Sequence, residues 1–251
     1  MPSKDQFPLL YHTHHSLHPE DLPLWLELAS RCGGQILELG CGTGRVLTPL
    51  AEAGHRVYGL DRDAGMLAVL QRFLKPDFKP WVHLLQGDFA AIPLLAHFSL
   101  ILMPCNTFST LSQELRYQVL QEVKACLASD GLFAASLPNP ERMRRLPRQG
   151  EPQIEDVFFH PVDGEPVQVS SRWERRESQL VIIWDYDHLS PDGRVERLST
   201  QVHHSLASSA EYKAEFNAAG LGLIAQYGDY DRSEYSRHSP YLILLAQADD
   251  F

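Results

Sequence analysis

Ile36-Leu37-Glu38-Leu39-Gly40-Cys41-Gly42-Thr43-Gly44-Arg45 reads as a short buried strand running into a glycine turn. The apolar run Gln35–Leu39 has strand length, and glycines at alternate positions allow backbone conformations that a tight turn requires. The stretch that follows, as far as Ala53-Gly54, has helical spacing. A strand, a turn and a helix in that order open a doubly wound α/β sheet. The alternation continues downstream, with strands expected at 56–60, Val82–Gln86, Phe98–Met103 and 132–137. Helices are expected over 63–74 and 112–127, the second capped by Ser112 and closed by Asp130-Gly131. Upstream, Leu22, Trp25, Leu26, Leu28 and Ala29 are spaced for a helix over 19–32 that Gly33-Gly34 stops.

The rhythm changes near residue 150. Strand-like segments at 157–159, 166–172, 180–189 and 195–204 are joined by Asp163-Gly164 and Ser190-Pro191-Asp192-Gly193, which are hairpin turn signals. Ser208 then caps a helix that Gly220 ends, and the strands Leu221–Tyr227 and 241–246 resume the sheet. The reading is a single α/β domain over 1–251 with a seven-stranded, mostly parallel sheet. Residues 150–205 are an antiparallel β insertion after the fifth strand.

Composition narrows the function. At 251 residues the chain is long enough for one large core, and no apolar run approaches the roughly 18 residues of a membrane helix. The N-terminal residues lack the basic-then-apolar layout of a secretory signal, so a cytoplasmic protein with no membrane partner is expected. A net charge of -10 opposes binding to nucleic acid, whose phosphates need basic partners. Cys32, Cys41, Cys105 and Cys126 show no C-x-x-C pairing.

The glycine spacing bears on the ligand. A dinucleotide fingerprint would require glycine at position 45, where Arg45 stands, so a nicotinamide-dependent oxidoreductase is the weaker reading. S-adenosylmethionine has no pyrophosphate; it presents an amino acid tail, a sulfonium and an adenosine. Glu38, two residues before the first glycine, can attract the ammonium of such a tail. Asp61 closes the second strand, where a carboxylate can accept both ribose hydroxyl protons. Asp88, after the third strand, suits an adenine amino group, and Phe89 offers the ring a face or an edge. Each acid alone would pass for a helix cap or a surface group. Together they stand at three successive strand ends on the edge where parallel sheets bind ligands.

Ile36 to Arg45, Val57-Tyr58-Gly59-Leu60-Asp61 and Gly87-Asp88 together resemble the class I S-adenosylmethionine-dependent methyltransferase superfamily. The resemblance implies a Rossmann-like methyltransferase fold and S-adenosylmethionine as cofactor. It maps cofactor roles onto Glu38, Gly40, Gly42, Asp61, Asp88 and Phe89, with Cys41, Gly44, Arg62 and Met103 completing the set. The insertion, followed by His203-His204-Ser205-Leu206 and Phe216-Asn217-Ala218-Ala219-Gly220, is similar to the small-molecule branch containing sugar-amine N-methyltransferases. That likeness implies a small-molecule acceptor and makes the insertion a candidate lid or homodimer contact. Tyr11, ahead of the first helix, resembles a tyrosine that closes over the methionine end of the cofactor in such enzymes.

Methyl transfer from a sulfonium is an in-line displacement, so positioning in a dry pocket supplies much of the acceleration. An amine or hydroxyl acceptor must also lose a proton. Asn106, in Met103-Pro104-Cys105-Asn106-Thr107 after the fourth strand, is a candidate to orient an acceptor, and His203 or His204 a candidate base. Leu137-Pro138-Asn139-Pro140 follows the fifth strand rather than the fourth, which argues against methylation of a nucleobase amine. Arg142, Arg144, Arg145 and Arg148 form a basic cluster that is either a solvated hinge or an attractor for an anionic acceptor. Trp173 and Trp184 are candidates for an apolar acceptor wall, with sheet packing the simpler account. His12, His14, His15 and His18 have no cysteine or carboxylate at ligand spacing, so no metal is expected. A protein or RNA methyltransferase of the same fold and a cofactor-binding module without catalysis stay open.

Overall fold

Leading into the quoted strand, helices α1 (Phe7–His15) and α2 (Leu22–Cys32) precede β1 (Gln35–Leu39) in the computed structural model, which describes residues 6–249. Ile36, Leu37 and Leu39 are all fully buried, because a parallel strand is covered by helices on both faces. Side chains alternate along it. Leu37 and Leu39 enter one core and Ile36 the other, so Glu38 shares the Ile36 face.

Helix α3 (Leu47–Glu52), β2 (Arg56–Asp61), α4 (Ala64–Phe73), β3 (Val82–Gln86), β4 (Phe98–Met103), α5 (Gln113–Cys126) and β5 (Leu127–Pro138) continue the winding. All pairings among β1 to β5 are parallel. After a short helix α6 (Pro140–Met143), strands β6 (Gln153–Phe159), β7 (Pro166–Arg175), β8 (Gln179–Leu189) and β9 (Val195–Ser205) form a separate antiparallel sheet in sequential order. Helix α7 (Ser209–Ala218) then leads into β10 (Leu221–Tyr227) and β11 (Tyr241–Ala248). The main sheet is ordered β10-β11-β5-β4-β1-β2-β3, with β11 antiparallel to both neighbours. Because β1 lies between β2 and β4, the winding reverses there, and the crevice beyond its carboxyl end is where such sheets take ligands.

Val119, Leu120 and Val123 of α5 and Tyr212 and Phe216 of α7 fill one side of the main sheet. Trp25 and Leu28 of α2, Leu47 and Leu50 of α3 and Leu67 and Leu70 of α4 fill the other. The inserted sheet rests on α1: Leu10 packs with Phe158, Val167, Val169 and Tyr186.

Two boundaries differ from the sequence reading. Tyr11 lies inside α1 rather than ahead of the first helix, since Pro8, Leu9 and Leu10 are bunched and give no helical spacing. Asp130-Gly131 does not close α5; Leu127 already belongs to β5, and the register against β4 shifts between Phe98 and Leu100. Gly131 is needed in that irregular stretch, where a Cβ would stand 2.8 Å from the Phe98 carbonyl oxygen. Among the described residues no helix is long and apolar enough to cross a membrane. The reading of the N-terminal start rests largely on residues 1–5, which lie outside the described residues.

Candidate active site

At the end of β1 the Gly40 N–H donates to the Leu60 carbonyl at 2.8 Å, and the Gly44 N–H donates to the Cys41 carbonyl at 2.8 Å. Gly40 has φ +77°, and a Cβ there would stand 3.1 Å from Thr107 Cγ2 and 3.5 Å from Phe89 Cζ. A Cβ on Gly42 would meet nothing within 4 Å, so this part of the turn faces open space. Gly44 serves packing instead: its Cβ would be 2.7 Å from Leu70 Cγ.

The open space is a cavity of about 510 Å³ beyond β1, β2 and β3. Gly40, Gly42, Asp61, Arg62, Asp88 and Phe89 line it, and Tyr11 of α1 stands among its walls. Thr200, Gln201 and Val202 of β9 contribute a further wall, so the insertion takes part in the site. Asp61 Oδ2 accepts from the Gly42 N–H at 2.8 Å and Oδ1 from the Asp63 N–H at 2.9 Å, which aims the carboxylate across the turn. Asp88 is exposed, and its Oδ1 accepts from the Ala90 N–H at 3.0 Å.

Glu38 lies below the turn, 2% exposed, and its Oε2 has no hydrogen-bond partner. Burial pushes its carboxyl well above the ordinary range, with the Arg45 guanidinium opposing. A buried carboxylate oxygen without a partner is costly unless a donor or a cation meets it. The ammonium of an amino acid ligand is such a group, so this turn fits the amino acid end of S-adenosylmethionine.

Tyr11 also lines a second, smaller cavity of about 170 Å³, together with His15, Arg45, Cys105, Asn106, Tyr230 and Tyr241. Arg45 forks onto Asp21, with N···O distances of 2.5 and 2.6 Å, and donates to the His18 carbonyl at 2.9 Å and to Cys105 Sγ at 2.8 Å. Cys105 and Asn106 have φ +57° and +62°, two consecutive left-handed residues that present the Asn106 side chain at the end of β4. Asn106 Oδ1 is buried without a partner. The Tyr11 and His15 rings lie 4.0 Å apart. Burial, with His14 and Arg45 nearby, pulls His15 down to about 3, so its imidazole is neutral. Burial likewise raises Tyr11, which keeps its phenol proton.

Other candidates fall elsewhere. Cys41 and Met103 are buried in the core, Cys41 against Gly59. His203 is exposed, 3.2 Å from Gln179 Oε1, and borders a different cleft with Arg116 and Arg144. His204 is buried, its Nδ1 2.8 Å from Ser109 Oγ, and that hydroxyl donates to the Asn106 carbonyl at 2.7 Å. Neither histidine lines the two cavities. Asn139 is saturated: its amide donates to the Ser236 and Ser239 carbonyls, and Oδ1 accepts from the Glu141 N–H and the Tyr235 hydroxyl. Trp173 packs by Leu180 and over Gly150, and Trp184 packs beside His14 and the cluster around Tyr186, so both serve sheet packing. Arg144 donates to the Leu206 carbonyl at 2.7 Å, while Arg142 and Arg145 border another cleft with Arg237 and His238.

Asp21, Tyr230 and Tyr241 carry no sign of a site in the sequence, and His15 enters it only among the histidines weighed as metal ligands. No motif carries them; they converge only because α1, α2 and the end of the chain meet over β4. In the sequence Arg45 stands out only as the residue where a dinucleotide fingerprint needs its third glycine.

Residues 36–131 match the family described as a methyltransferase domain, a stretch that contains the glycine turn, Glu38, Asp61, Asp88 and Asn106. The cypemycin N-terminal methyltransferase of Streptomyces sp is 24% identical over 216 residues, which are 86% of this chain and 83% of that protein. The CcbJ methyltransferase from Streptomyces caelestis has a similar fold, with TM-score 0.77 at 24% identity over 92% of this chain and 91% of that one. CalS10, a SAM-bound amino pentose methyltransferase from Micromonospora echinaspora, gives TM-score 0.73 at 20% identity, with 95% of each chain covered.

Proposed function

We propose that this chain, a class I S-adenosylmethionine-dependent methyltransferase, moves the methyl group to an amine nitrogen of a small molecule seated in the tyrosine-lined cavity. The observation that carries the reading is Glu38, a buried and unpartnered carboxylate beneath a glycine turn that opens on one cavity, with Arg45 joining it to the next. Glu38 holds the ammonium of the cofactor tail, and the backbone of Gly40 and Gly42 lets the tail approach. Asp61 accepts from the ribose, and Asp88 with Phe89 meets the adenine. Arg62 borders the same cavity, and Cys41, Gly44 and Met103 act from behind by holding the turn and the end of β4.

S-adenosylmethionine, when bound, supplies an electrophilic methyl carbon on a sulfonium. An acceptor nitrogen would present its lone pair to that carbon, the sulfur would leave with the C–S electron pair as a neutral thioether, and the N–H proton would pass to solvent. Asn106 Oδ1, an acceptor without a partner, takes a hydrogen bond from that N–H and aims the lone pair at the methyl. Tyr11 and neutral His15 exclude water at the junction of the cavities. A space of about 170 Å³ suits a small acceptor or one protruding amine. The relatives named for an N-terminal amine and an amino pentose support an amine over a hydroxyl. Of the three catalytic candidates, Asn106 is the one that borders this space. The reading includes a homodimer through β6, an edge strand that exposes Ile154, Val157 and Phe159.

The test is transfer of labelled methyl from S-adenosylmethionine to a panel of matched small amines and alcohols, beside calorimetry with adenosylhomocysteine and NAD. Methylated amines and adenosylhomocysteine binding are expected. Label on alcohols alone, or only on added protein or RNA, would overturn the acceptor class. NAD binding without adenosylhomocysteine binding would overturn the whole reading.

A further inference from the structure

We propose that His14, His18 and Asp156 form a binding site for a divalent transition metal, zinc foremost, which pins α1 to the inserted sheet. In sequence the histidines have no partner, but the fold brings Asp156 of β6 to them across 142 and 138 residues. His14 Nε2 lies 3.1 Å and His18 Nε2 2.8 Å from the same Asp156 Oδ2, and the three ligand atoms lie within 4.8 Å of one another. Two imidazoles and a carboxylate are a donor set for zinc and its neighbours rather than for magnesium or calcium. Tetrahedral bonds of about 2.0–2.1 Å set neighbouring donors about 3.3 Å apart, close to the 3.1 and 2.8 Å that separate the two imidazole nitrogens from Asp156 Oδ2.

The surroundings are those of a ligand rather than of a surface ion pair. His14 is 2% exposed, and its other ring nitrogen lies 3.0 Å from the Tyr186 hydroxyl, which turns Nε2 toward Asp156. Metal-bound histidines are oriented by such a second contact. The rings of Phe158, Trp184 and Tyr186 surround the imidazole and hold it in place. His18 is 47% exposed, which leaves an entry path and a fourth position for water. The consequence is local order: α1 also carries Tyr11 and His15, which border the cavities, so an ion here would hold that helix over the site.

The test uses the full chain, stripped with chelator, passed through gel filtration and titrated with zinc chloride. His160, Asp163 and His188 make a second cluster of the same residue types, so the readout is a difference in stoichiometry. Wild type is expected to bind one equivalent more than His18→Ala or Asp156→Asn, while His188→Ala keeps that equivalent. Tyr186→Phe should keep it with about 10-fold weaker affinity. His18 is half-exposed, so His18→Ala folds as wild type does, checked by circular dichroism. Zinc should also slow proteolysis within α1 in wild type and not in His18→Ala. Equal zinc stoichiometry in wild type and His18→Ala, or displacement of the ion by an equal concentration of magnesium, would overturn the site.

Discussion

Replacing Glu38 by glutamine separates a ligand-holding carboxylate from a merely structural one, because the two roles predict opposite signs for binding and for pH-dependent stability. The side chain is 2% exposed and its Oε2 is unpartnered, so in the ligand-free protein its charge is a liability. Its carboxyl is held well above the unfolded value of about 4.3, chiefly by burial. Between that value and the raised native one, the folded state keeps a proton that the unfolded chain releases. Stability of the ligand-free wild type therefore falls as pH rises through this window. Glutamine cannot ionise, so the melting temperature of Glu38→Gln minus that of wild type should grow between pH 5 and pH 8. Binding should move the other way. A hydrogen bond to a charged group contributes about 1.5–3 kcal/mol, so adenosylhomocysteine should bind about 10- to 150-fold more weakly. Differential scanning fluorimetry across pH and calorimetry at pH 7.5 read the two effects. Wild-type affinity in the variant, or a stability difference that does not change with pH, would refute the reasoning.

Asn106→Gly keeps the left-handed backbone and removes only the side chain, so kcat should fall about 10-fold or more while adenosylhomocysteine affinity stays within twofold; an unchanged kcat removes Asn106 from the acceptor site. Gly44→Ala combines φ +84° with a Cβ 2.7 Å from Leu70 Cγ, and a loss of roughly 2–5 kcal/mol is expected in urea unfolding; a loss below half a kilocalorie would show that α4 yields freely. His203→Ala should leave kcat/KM within about twofold, because the ring is exposed away from both cavities; a hundredfold drop would restore it as the base. His204 is pulled down to about 4 by burial, so its contribution is present above the unfolded value of about 6.5 and is lost as pH falls from there toward 4. The slope of melting temperature over that interval should be shallower in His204→Gln; an equal slope would assign the acid sensitivity elsewhere.

The strand β1, the turn after it and the acids Asp61 and Asp88 were legible because each is a local feature: an apolar run, a glycine spacing, a carboxylate at a strand end. Strand-like segments set between hairpin turn signals also exposed the four strands of the insertion to within a few residues. Helix α1 was not legible, since its apolar residues cluster at one end and its cap has no side-chain signal. The adjacent pair His203 and His204 shows the limit well. They point to opposite faces of the strand, one exposed and one buried, yet neither ring lines either cavity of the candidate site, where β9 presents Thr200 to Val202 instead.

What the sequence by itself determined is the order of strands and helices, the backbone freedom at Gly40 and Gly42, and which strand ends carry charge, since these depend on residues close together in the chain. Tertiary structure alone decided that Arg45 would lock onto Asp21 beside Asn106, that Tyr230 and Tyr241 would close the smaller cavity, and that Asp156 would meet His14 and His18. Those contacts join segments separated by as much as the length of the domain. They exist only where packing of the two cores and the inserted sheet brings the segments together, and no periodicity or spacing in the chain records that meeting.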